Sequence, residues 1–317
     1  MFFLVFKQLF IMFLIAACGF FVTRQFKFGD CEEQFVSKIL IFFINPCLIF
    51  SKFDIDFSFE YLKNFLITFV IALVLHLVMC VIAVIFCRPK RFVDKSISDI
   101  DCLSVAFTNC SFIGIPLLDG IFPSSNAVFY LLPYIVVFNV FIWTFGYRVF
   151  CGKINVSKLF FNPNIFTVIL GFVLFCLPFK LPEIISIPLK HISSMNTVMA
   201  MFLLGMLFAH FKGFKKVYIS HVLKVSVLRF AVVLLFALAI IIGAYKILPY
   251  SEEHRLICYV LFIASVCPVA LSVSSFSVLF KKDESYSALV ILVTSLLCIL
   301  TIPLSVSLLD FLIKTFC

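Results

Sequence analysis

Apolar runs of about 20 residues, the length of helix that crosses a bilayer, recur from one end of this 317-residue chain to the other. Little lies between them. In lipid every backbone N–H and C=O must find a partner inside the protein, which a helix supplies within its own segment. The chain is therefore predicted to be an all-α polytopic membrane protein. Its charged fraction of 13% agrees, since soluble domains carry about 25%.

Ten spans can be read, near residues 2–22, 34–52, 62–87, 100–121, 126–150, 164–178, 191–210, 221–248, 255–280 and 285–313. The sixth is short and is expected to continue past Pro178. The first contains Lys7 inside its apolar run and reads as a span rather than a cleaved leader, although "IAAC" at 15–18 resembles a lipoprotein cleavage site.

The net charge of +9 is a record of topology. Of the 25 Lys and Arg residues, fifteen fall in one set of loops, seven in the other and three (Lys7, Lys38, Arg229) inside spans. The richer side is cytoplasmic. Both termini then face outside, in a plasma (bacterial inner) membrane. Lys38 and Arg229 lie near cytoplasmic ends and read as snorkelling side chains. A nucleic-acid partner is excluded, and membrane lipid is the expected surrounding. The 13 cysteines are dispersed without a CxxC pair, which argues against a disulfide framework or a metal site. No motif implies a cofactor.

Divided at a cytoplasmic loop, 151–163, the chain yields five spans in residues 1–150 and five in 164–317. Halves with an odd number of spans enter the membrane in opposite directions, the arithmetic of an inverted repeat. Helix 4 holds "FTNCSFIGIPLLDGIF" (107–122) and helix 9 holds "ASVCPVALSVSS" (264–275); each puts a Pro near mid-span. Pro and Gly weaken helices, so helix 4 is expected to break near Gly114–Pro116 and helix 9 near Cys267–Pro268, with the breaks crossing. A further break residue, Pro46, stands in "INPCLIF" of helix 2; its counterpart, helix 7, has Asn196 but no Pro.

A broken helix at mid-depth is tolerated where it is buried or lines a cavity. Its free N–H groups and positive end attract anions. Two such ends meeting at the membrane centre suit a carboxylate. The side chains placed to bind it are Asn45, Asn109, Asn139, Asn196 and Ser272. Asp119, about one turn past the expected break, and His76 in helix 3 are candidates for proton coupling.

"FTNCSFIGIPLLDGIF" resembles the helix 4 motif of the auxin efflux carrier family. "FNVFIWTFGY" (138–147), "NPNIFTVILGFVL" (162–174), "MAMFLLGMLFA" (199–209) and "KKDESYSALVILVTSLLCILTIPLSV" (281–306) are similar to later family segments, in order. The large cytoplasmic loop of many plant members is missing, as in compact prokaryotic-type members. The resemblance implies a secondary carrier of ten helices with crossed, broken helices 4 and 9, an elevator-like movement and a small organic anion as substrate: auxin-type carboxylates, malonate or malate. By motif match Asn109, Pro116 and Pro268 fall on the family's crossover and Pro46 on a Pro usual in helix 2. Thr197 stands where many bacterial members have a Pro. Protons or another ion are expected to couple transport, and the resemblance leaves room for a homodimer. The alternative is a sodium-coupled carrier of the related broken-helix fold. A passive channel or an intramembrane enzyme fits less well. The acidic pairs in "FDIDF" (53–57) and "DKSISDID" (94–101) fall on opposite sides, and no GxSG or HExxH occurs.

Overall fold

The structure is a computed structural model that describes all residues except 88–93, 124, 153–162, 178–179, 212, 214–217 and 317. Most of the 151–163 connection and eight of the fifteen basic residues assigned to the cytoplasmic side lie outside the described residues. The sixth span does not continue past Pro178: its helix ends at Cys176 and residues 180–182 are not helical, as expected where a Pro disfavours helical backbone in the residue before it.

The described residues are helical, and seven helices are long and apolar enough to cross a membrane. These are α1 (Phe2–Phe26), α2 (Asp30–Ser51), α3 (Phe59–Phe86), α5 (Ala127–Cys151), α7 (Glu183–Ala209), α8 (Tyr218–Ile247) and α10 (Glu284–Phe316). A shorter apolar helix, α6, covers Pro163–Cys176. The fourth and ninth apolar runs come in pieces: α4a (Lys95–Ala106) and α4b (Cys110–Ile121), then α9a (Glu252–Val266) and α9b (Ser272–Leu279). The chain is an integral membrane protein of the polytopic, all-α class.

Burial separates inner from outer helices. In α1 the buried residues are Val5, Leu9, Met12, Ala16, Gly19 and Thr23, one stripe at helical spacing, while Phe3, Phe10, Leu14 and Phe21 are exposed. In α4a every residue from Ile97 to Ala106 is buried, and in α9a every residue from Ile257 to Val266. A helix buried on all faces belongs at the centre of a bundle. Around that centre, α3 packs on α4a, α5 and α9a, and α10 packs on α9a and α9b. At the side, α1 packs on α7, α7 on α2, and α2 on α6. The α1–α7 crossing is backbone against backbone. A Cβ on Gly19 would meet the Phe202 carbonyl, and one on Gly205 the Ala16 carbonyl. Small residues are what permits such an approach between membrane helices.

Two expected breaks are corrected. Helix 4 is interrupted at Phe107–Asn109, before Gly114 and Pro116, which lie inside the continuous helix α4b. Helix 2 runs without a break through Pro46. The reason is the same in both. Each Pro follows a π-helical turn, Leu40–Ile44 before Pro46 and Cys110–Gly114 before Pro116. A Pro lacks the N–H and its ring crowds the carbonyl four residues back. A wider i→i+5 turn moves that carbonyl away, so the helix restarts with Pro in its first turn, where no N–H is needed. Pro133, Pro188 and Pro303 likewise sit inside helices.

Candidate functional site

The interruptions between α4a and α4b and between α9a and α9b lie against each other. Thr108 and Val269 form an antiparallel β-bridge. Asn109 N–H donates to the Pro268 carbonyl at 2.8 Å, and Ala270 N–H donates to the Phe107 carbonyl at 3.2 Å. The Val269 N–H is taken by Thr294 Oγ1 of α10 at 3.3 Å. Each broken segment thus satisfies part of the other's backbone, as burial demands.

The last carbonyls of α4a and α9a are satisfied by a side chain from α8. Arg229 is 1% exposed. Its guanidinium donates to the Val105 carbonyl at 3.0 Å, to the Ser265 carbonyl at 3.1 Å and to the Cys267 carbonyl. One cation therefore caps the C-terminal ends of both inner helices, each carrying about half a negative charge. Arg229 does not snorkel, which corrects the expectation. The planar fork of an Arg reaches several carbonyls at fixed angles, which a Lys would not. The rule that misplaced it treats any cation near a span's end as bound for the interface. The signal that could have found it is the rarity of Arg inside an apolar run.

On the other side of the interruptions are helix beginnings. Asn109 caps α4b, its Oδ1 accepting from Phe112 N–H at 3.3 Å. Its Nδ2 is buried without a partner, as are Ser272 Oγ at the start of α9b and Arg229 Nε. No Asp or Glu occurs in residues 102–118 or 254–282, so neither interruption carries its own carboxylate.

The remaining predicted residues divide. Asn45 and Asn196 are both buried; Asn45 Oδ1 and both polar atoms of the Asn196 amide lack partners. Helix α7, which holds Asn196, packs on the Asn45 half of α2 and on the first turn of α4b, which Asn109 caps. These three asparagines thus belong to mutually packed segments. Ser272 is on α9b, which packs on α4a and α10. Asn139 Nδ2 donates to the Ile135 carbonyl of its own helix at 2.8 Å. Asp119 is at the far end of α4b, 60% exposed and paired with Lys52 at 3.2 Å. His76 is fully buried beside Tyr134. Cys267 and Pro268 lie in the interruption itself.

The sequence model of a family described as membrane transport protein matches residues 4–156 and 149–306. The chain belongs to this family, the auxin efflux carriers. It is a membrane transporter from a family of transporters rather than of enzymes. A comparison with individually curated proteins finds no match.

In this carrier the inner helices are also tied at their far ends. Asp101 of α4a is fully buried and faces His221 Nδ1 at 2.8 Å, Lys224 Nζ at 3.3 Å and the Tyr286 hydroxyl, from α8 and α10. Asp99 pairs with Lys282 at 2.8 Å. At the start of α9a, Glu253 accepts from the Tyr130 hydroxyl of α5, and His254 Nε2 meets Asn64 Oδ1 of α3 at 3.1 Å. Among the described residues no group of His, Cys, Asp and Glu has the arrangement of a metal site.

Proposed function

We propose that the protein is a secondary carrier for small organic anions, mono- or dicarboxylates, which bind where α4 and α9 are interrupted. The placement of Arg229 carries this reading. The carbonyl ends of broken helices are natural ligands for a cation, and here a guanidinium occupies them. What remains open is a pair of side-chain donors at the two helix beginnings, Asn109 Nδ2 at α4b and Ser272 Oγ at α9b. Donors without a resident carboxylate suit an incoming one. Asn45 and Asn196 complete the polar lining in this reading.

The account takes ten spans in two five-span halves of opposite orientation, residues 1–150 and 164–317. Two observations support it. The family matches in two stretches that meet near residue 150. Helix α4a is tied to α8 and α10, and α9a to α3 and α5, and in an inverted repeat these partners are counterparts. The group α1, α2, α6 and α7 then serves as a frame along which the other spans slide, with both termini outside the plasma membrane.

The runner-up, a sodium-coupled carrier of the related broken-helix fold, needs those same carbonyls for its ion. Binding of labelled malonate, malate and indole-3-carboxylate to purified protein separates the two. Saturable binding in sodium-free buffer supports the anion carrier. A strict sodium requirement transfers the reading to the runner-up, and folded protein that binds none of the three sinks it.

A further inference from the structure

Between Asn64 and Phe86, α3 holds one basic side chain, His76. It is fully enclosed. Its Nδ1 lies 2.9 Å from the Ala72 carbonyl one turn back. A carbonyl only accepts, so Nδ1 carries the proton. The other ring nitrogen, Nε2, is buried with no partner. A buried lone pair without a donor is costly, and such groups call for an explanation. A Leu or Phe would fill this space without that cost.

The surroundings lead toward the crossing. The His76 ring centroid is 4.4 Å from that of Tyr134 on α5. The Tyr134 hydroxyl is 3.3 Å from Thr108 Oγ1, and Thr108 is the residue that bridges to Val269. From α8 the Arg229 charge acts on His76, and the thiols of Cys110 and Cys267 act on Tyr134. On α3 itself Cys80 is one turn away. On α4a, Cys102 stands near Cys80 and Cys87 and Asp101 near Cys87, farther along α3, and Asp101 is already held by His221, Lys224 and Tyr286. Among the described residues, a second proton on His76 would therefore stand near Arg229 with no carboxylate to balance it. A carboxylate arriving at the crossing supplies that charge.

We propose that His76 Nε2 binds one proton that crosses the membrane together with the anion. This rests on the carrier reading above. The proton leaves a hydronium ion on the side to which the site is open and adds to the Nε2 lone pair. It returns to water on the other side when the anion leaves. No other bond is made or broken, and a monocarboxylate moves with no net charge. By linkage the proton tightens anion binding by the same factor that the anion tightens proton binding.

The test uses proteoliposomes with two readouts, counterflow of labelled malonate at equal pH and its accumulation driven by a pH gradient. Wild type is expected to show both, with accumulation at clamped membrane potential of up to about tenfold per pH unit of gradient, since one proton per anion transmits about 1.4 kcal/mol, a factor of ten. His76→Gln is expected to keep counterflow and lose accumulation. Undiminished accumulation by His76→Gln overturns the proposal. So does wild-type counterflow without any accumulation under the pH gradient, which leaves the carrier reading standing. No wild-type counterflow of malonate, malate or indole-3-carboxylate overturns the carrier reading itself. Should His76→Gln fail to fold, proton uptake by wild type on binding malonate in weakly buffered detergent decides. About one proton per anion supports the linkage, and none refutes it.

Discussion

Arg229→Met removes the guanidinium while keeping a long apolar side chain. Three main-chain carbonyls, of Val105, Ser265 and Cys267, then lose their donor inside the bundle. Each unsatisfied buried acceptor costs about 1–3 kcal/mol. Taking the lower half of that range, the loss is about 3–6 kcal/mol, similar to the cost of breaking a buried ion pair by removing one partner. The unfavourable meeting of two negative helix ends adds up to about 2 kcal/mol. Total stabilities are about 5–15 kcal/mol, so the variant is expected to be marginal. At roughly 2–4 °C per kcal/mol for chains of 150–250 residues, a loss of about 3–6 kcal/mol should lower its unfolding temperature in detergent by about 6–24 °C. Arg229→Lys keeps the charge but reaches only one helix end, and should fall between the two. Intrinsic-fluorescence melting checks both, and anion binding by whatever remains folded checks the electrostatic part. Wild-type melting and wild-type malonate affinity in Arg229→Met would refute the reasoning.

Three other outcomes follow from the geometry. Gly205→Val should disrupt the α1–α7 crossing and cut the yield of monodisperse protein, because its Cβ meets the Ala16 carbonyl; Gly243→Ala, with open space around it, should be neutral or stabilising by up to about 1 kcal/mol. Asn109→Ala removes a helix cap worth about 1 kcal/mol and a buried donor, so it should weaken anion binding while size-exclusion profiles stay unchanged. His210, just past α7, faces the Glu33 carboxylate and the Phe28 carbonyl. Burial opposes its charge, but Phe28, Glu33 and Asp30 outweigh that and raise its pKa above the ordinary 6.5. Its contribution is therefore full below about pH 6.5 and lost as pH rises through the raised value; melting curves across that window should lose this dependence in His210→Gln.

Much of the fold was legible because hydrocarbon thickness sets a length that apolar runs must match. The stripe on α1 and the unbroken burial of α4a are two readings of one rule. The interruption in helix 4 was misplaced because local chemistry pointed to Pro116, where a π-helical turn accommodates the ring. The true interruption depends on a bridge between residues 108 and 269, a pairing no local pattern encodes. The destination of Arg229 was hidden for the same reason, since its acceptors come from two other helices. Helix 9 is interrupted at Cys267–Pro268, as expected, because a missing N–H donor is a local signal. His76 could be singled out as an ionisable group in an apolar run, but its path through Tyr134 to Thr108 required the packing of α3 on α5.

The central claim, an anion carried at the crossing of α4 and α9, is tested most directly by counterflow in proteoliposomes. Labelled malonate, malate and indole-3-carboxylate would be followed in wild type and in Asn109→Asp, which places a negative charge at the start of α4b. The account predicts exchange of at least one anion by wild type and none by the folded variant. Equal exchange by both, or no exchange by folded wild type, would contradict it.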